Sequence, residues 1–251
     1  MPINSFGQDV AWFCNRAVQA AGKIGDPQAR VDALLQIADV QGRAKALSDL
    51  HHTLDLAQAA AASLSPTPVS DAALLKIWQR RVSSRDIAGA KATAGAFAEA
   101  DKRAALEQAI ARIPFGDPQT THFQLESQAD AIGKLLYSPY NSGKEFAVAC
   151  AEAGDSKGAI AAMAGLSGDI LPWTQMTVAE GLSHCGDFAD ALATAESIKD
   201  YRRALTLAEV VEYAGKHNLA DSQRVIQNLL ADAAALQPGD EQATRYENIA
   251  S

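Results

Sequence analysis

TVAEGLSHCGD, residues 177–187, is the stretch on which the fold turns. Laid beside FAVACAEAGD (146–155) and TLAEVVEYAGK (206–216), it falls into one register, with Gly154, Gly186 and Gly215 in a single column. In that register Ala147, Ala179 and Ala208 coincide, as do Cys150, Leu182 and Val211, and then Ala153, Cys185 and Ala214. These three columns are small or apolar at i, i+3 and i+6, which places them along one buried stripe of a helix. The Gly column predicts helix ends, where a positive φ is wanted. Asp155 and Asp187 follow it, placed to cap a second helix with a carboxylate. Behind those caps, Ala159, Ile160, Met163 and Leu166, and again Ala191, Leu192, Ala195 and Ile198, keep helical spacing. Each unit reads as a helical hairpin.

Working outward, DIAGAKATAGAF (86–97) has the character of another second helix, and DKRAAL (101–106) echoes DYRRAL (200–205). DPQARVDALLQIA (26–38) reads as an Asp-led helix start with Pro27 at the first helical position. LSPTPVSD (64–71), IPFGDPQTTH (113–122) and YSPYNSGKE (137–145) are rich in Pro, Gly and Ser and read as inter-helix loops, with Ser70-Asp71 as a cap signal. One continuous solenoid over residues 1–251 is expected. The alternative is an amino-terminal bundle (1–64) followed by a repeat array (70–251).

Composition agrees with helices. The chain is 48% hydrophobic but only 6% aromatic, and Ala, the best helix former, dominates its apolar content, so the fold class is expected to be all-α. A net charge of −8 repels nucleic acid and anionic membranes at long range, which argues against both as partners. Cys14, Cys150 and Cys185 are odd in number and show no CxxC spacing, so neither a disulfide framework nor a zinc module is expected. The amino terminus lacks the basic and apolar regions of a signal peptide, and no stretch approaches the roughly 20 apolar residues of a membrane span. A cytoplasmic protein is expected, although export without a cleaved signal would leave no mark.

GDFADA (186–191) resembles the Gly-x-aromatic-x-x-Ala turn of tetratricopeptide repeats, and Ala179 falls where that family keeps a small residue in its first helix. The units here are shorter than that family's roughly 34 residues. Leu182 and Val211 stand where it favours Tyr, and no Pro closes the second helix. The resemblance covers mainly residues 140–251. It implies a right-handed α-α superhelix of antiparallel hairpins whose grooves bind proteins or peptides, and it carries over no catalytic residue.

The same register bears on the adjacent His184 and Cys185. Cys185 shares its column with two alanines, so it reads as a small core residue, and His184, aligned with Glu152 and Tyr213, reads as solvent-facing. His51 and Asp55 lie one turn apart but are too few to hold a structural zinc ion, and NSGKE (141–145) lacks the spacing of a phosphate loop. His122 and His217 stand in loop-like contexts, so no catalytic residue, metal ligand or cofactor is expected.

The candidate partner-binding residues are cationic. Lys76, Arg80, Arg81 and Arg85 form one group beside Trp78, and Tyr201 with Arg202 forms a second. They could dock an acidic segment through Arg pairing and an aromatic anchor. Trp12, Phe13 and Trp173 are expected in the core or capping an end. The function expected is a non-enzymatic interaction module or adaptor that holds a partner peptide or helix. The alternatives are an all-α enzyme or small-ligand sensor with a pocket between hairpins, and a subunit that self-associates.

Overall fold

The computed structural model describes residues 5–65, 67–115, 120–137 and 142–216. His217 and the carboxyl-terminal stretch lie outside the described residues, as do Asn141 and parts of the second and third expected loops. The described residues form twelve helices and no strand, so the fold is all-α. No helix among them is long and apolar enough to cross a membrane. The chain divides between Phe115 and Gly116 into two compact units.

The first unit holds α1 (Ser5–Ala21), α2 (Pro27–Arg43), α3 (Leu47–Ala61), α4 (Thr67–Ser83), α5 (Ile87–Gly95) and α6 (Ala100–Arg112), each packed on the next. Its helix starts follow the expected chemistry. The Asp26 and Asp86 side chains accept from the backbone N–H of Ala29 and Gly89, each cap stabilising its helix by about 1 kcal/mol. Helix α4 begins earlier than the Ser-Asp signal indicated, at Thr67, because Pro68 sits in the first turn, where its missing N–H costs nothing. Asp71 is then buried and accepts from Lys102 Nζ at 3.1 Å.

The second unit holds α7 (His122–Leu136), α8 (Lys144–Glu152), α9 (Ser156–Met163), α10 (Ile170–His184), α11 (Phe188–Glu196) and α12 (Arg202–Lys216). Helices α8 and α9 pack on each other, and α10 packs against α8, α9, α11 and α12. Asp155 and Asp187 cap α9 and α11 by accepting from Gly158 N and Asp190 N. Ala147, Cys150, Ala179, Leu182 and Val211 sit together in one core cluster.

Four helix ends share one turn. At the ends of α8 and α10, Asp155 N donates to Cys150 O and Asp187 N to Leu182 O, while Gly154 N reaches Ala151 O and Gly186 N reaches Ser183 O. This is the Schellman pattern, with glycines at φ 73° and 81°. The ends of α2 and α4 repeat it without glycine. Ala46 N donates to Gln41 O and Asp86 N to Arg81 O, with Lys45 at φ 58° and Arg85 at φ 60°. Three residues before Gln41, Arg81, Cys150 and Leu182 stand Ala38, Trp78, Ala147 and Ala179, all fully buried. Gly215 departs from its column: it lies inside α12 and has no positive φ.

Candidate functional site

The cationic residues singled out in the sequence fall into two groups that lie in different units. On α4, Lys76 is exposed, and Arg80 grips Asp39 through Nε–Oδ1 at 2.7 Å and Nη2–Oδ2 at 3.0 Å. Arg81 is not a surface cation: it is 2% exposed, with Nη1 2.5 Å from Asp86 and Nη2 2.6 Å from Asp55. Its position in the turn, the one filled by Cys150 and Leu182 in the second unit, faces the core whatever residue occupies it. The guanidinium fits there because Gly89 has no side chain; a Cβ on Gly89 would stand 1.9 Å from Arg81 Nη1. Arg85 is exposed and donates to the Phe115 carbonyl.

Trp78 is fully buried and cannot serve as a surface anchor, whereas Trp12, Phe13 and Trp173, expected inside or capping an end, are 57%, 65% and 47% exposed. In the second unit Arg202 is buried, bound to Asp200 at 2.7 Å, and its guanidinium lies over the rings of Trp173 at 4.8 Å and Tyr201 at 5.4 Å. Asp55 is already engaged by Arg81, and among the described residues no group of three or more His, Cys, Asp or Glu is placed to hold a metal ion.

A cleft of about 510 Å³ lies in the second unit, bounded by α7, α8, α10 and α12. Helix α7 enters it through a capping box: Thr121 accepts from Gln124 N while the Gln124 side chain accepts from Thr121 N, which sets Phe123, Gln124 and Gln128 on the cleft wall. Helix α10 contributes Thr177, Gly181 and His184, spaced at i, i+4 and i+7, with Glu180 beside them. Gly181 permits the crossing with α8, since a Cβ there would lie 3.2 Å from both the Ala151 Cβ and the Glu152 N.

Helix ends leave carbonyls without intrahelical partners, and side chains from across the cleft satisfy them. Gln128 Nε2 donates to Ala153 O at 3.3 Å, Gln124 Nε2 to His184 O at 3.5 Å, and Cys185 Sγ to Glu152 O at 3.2 Å. Burial pushes the Cys185 thiol up to about 12, and the nearby carboxylates of Glu152 and Asp187 add to this, so the sulfur keeps its proton and serves as a donor. His184 is half-buried instead of solvent-facing. Its ring meets Tyr213 edge-on at 4.4 Å between centroids, and its Nε2 is enclosed without a partner among the described residues.

Acidic groups dominate the electrostatics. Glu152 and Glu180 line the cleft, neither has an ion-pair partner among the described residues, and no Lys or Arg belongs to the lining. On α12 the Glu209 carboxyl is raised above its ordinary range, first by burial and then by Glu180 and Glu212. Sequence reasoning missed this site because its walls come from segments spread over residues 121–213; the repeat register sets Glu152, His184 and Tyr213 in one column, but that column reads as solvent-facing. Comparisons of the chain with family models, with curated proteins and with solved structures each found no match.

Proposed function

We propose that this protein is a non-enzymatic interaction module built from tetratricopeptide-like helical hairpins, and that the cleft of the second unit receives a segment of a partner protein. The observation that carries the reading is the cleft wall. Phe123, 76% exposed, stands at a concavity lined by amides, hydroxyls and aromatic rings, and concave surfaces between stacked helices are where such folds take up extended or helical segments. The shared turn and buried columns at four helix ends support the hairpin-repeat architecture. The protonated, carbonyl-bound Cys185 supports a packing role for the only thiol at the cleft.

On this reading α4 is a weaker dock for an acidic segment than its charge count implies, because Arg81 is enclosed and Arg80 is paired. Such a dock would rest on Lys76 and Arg85 with help from Arg80. A small-ligand sensor or enzyme is the second reading, favoured by a volume within the roughly 300–1,000 Å³ range of ligand pockets and by the enclosed His184 Nε2.

The deciding experiment is affinity capture from native lysate with the wild-type chain and with Phe123→Ala, followed by mass spectrometry of retained proteins and metabolites. A protein retained near one-to-one by the wild type and lost with Phe123→Ala is the expected result. A metabolite retained without protein would overturn it in favour of the sensor or enzyme.

A further inference from the structure

The second-unit cleft is acidic and aromatic at once, and these properties select the same kind of group. Glu152 closes α8 and Glu180 projects from α10, both on the cleft lining and both without a cationic partner among the described residues. Phe123, His184 and Tyr213 supply ring faces and edges beside them. Elsewhere three of the more enclosed carboxylates are paired internally: Asp71 with Lys102, Asp86 with Arg81, Asp200 with Arg202. At the cleft the complementary charge is left to come from outside. The Arg202 guanidinium held between Asp200 and the rings of Trp173 and Tyr201 shows the required chemistry within the same unit.

We propose that the cleft receives an arginine side chain of a partner polypeptide, its guanidinium set against Phe123 and Tyr213 and paired with Glu152 and Glu180. Arginine fits better than lysine because its planar fork can pair with a carboxylate and stack on an aromatic ring together, while the compact, strongly hydrated ammonium does less of either. The elevated proton affinity of Glu209, set partly by Glu180, is a further sign of uncompensated negative potential along the α10–α12 side, and an incoming cation would relieve it. This inference rests on the interaction reading above and specifies the partner's chemistry.

The test is selection of a phage-displayed random dodecapeptide library on the immobilised full chain, with depletion on the double variant Glu152→Gln/Glu180→Gln. The glutamines keep side-chain shape, and an unchanged thermal melt establishes that the variant is folded. The expected result is enrichment of peptides with an Arg at one shared position. A synthetic peptide of that sequence should bind the double variant at least about tenfold more weakly, as should its Arg→citrulline form on the wild type.

Enriched peptides without a basic residue, or equal binding by the citrulline form, would overturn the arginine assignment and leave the interaction module standing. No enrichment at all would overturn both. If L-argininamide alone bound as tightly as the best peptide, the occupant would be a small organic cation and the partner-segment reading would fall.

Discussion

The α4–α5 turn of the first unit and the α10–α11 turn of the second have the same hydrogen bonds and the same left-handed residue, yet their sequences enforce that geometry differently. In the second unit Gly186 takes φ 81° without a steric penalty, and Leu182 fills the inward position with an apolar side chain. In the first unit Arg85 takes φ 60° despite its Cβ, and Arg81 fills the inward position with a charge that needs Asp55 and Asp86. One turn is held by intrinsic preference and the other by surrounding structure. A backbone motif can form where the residues that advertise it are absent.

Breaking the enforced turn should have the largest effect. Arg81→Glu places a third carboxylate against Asp55 and Asp86 at a buried site and should cost about 3–5 kcal/mol, read as a lower urea midpoint. Leu182→Ala, at the matching position, should cost about 2–5 kcal/mol by opening a cavity in a core cluster with no charge to strand. If Arg81→Glu cost less than about 1 kcal/mol, the buried pair would not be holding its turn.

Exchanging the left-handed residues sharpens the contrast. Gly186→Ala adds a Cβ that meets no atom within 4 Å, so its cost of about 1–2 kcal/mol would be purely backbone strain. Lys45→Gly at the end of α2 should raise the thermal midpoint, with a gain below about 1 kcal/mol because glycine also enlarges the unfolded ensemble. Opposite signs for the two substitutions are expected from calorimetry, and equal signs would show that the two turns are not held differently.

The smallest effect concerns Arg202, the buried arginine of the second unit. Its hydrogen bonds hold the Asp200 carboxyl below the ordinary value of 3.8. A carboxyl lowered in the folded state contributes stability that is complete above its unfolded value and is lost as pH falls through its folded one. Acid unfolding monitored below about pH 4 should therefore be slightly flatter in Asp200→Asn than in the wild type, while the two should run parallel at neutral pH.

The sequence by itself determined the local events. Ala-rich segments form helices because Ala restricts little side-chain freedom, and Asp26, Asp86, Asp155 and Asp187 start helices because a carboxylate meets free N–H groups within its own turn. Gly154 and Gly186 end helices because only glycine reaches positive φ without strain. Each of these depends on residues a few positions apart. Tertiary structure decided the rest. Lys45 and Arg85 adopt a glycine conformation that their residue types do not signal, Arg81 turns inward against Asp55 on another helix, and Trp78 disappears into the core. The cleft assembles Phe123, Glu152, Glu180 and Tyr213 from four helices, so its volume, its charge and the raised thiol of Cys185 arise from burial and proximity between segments that no local pattern connects.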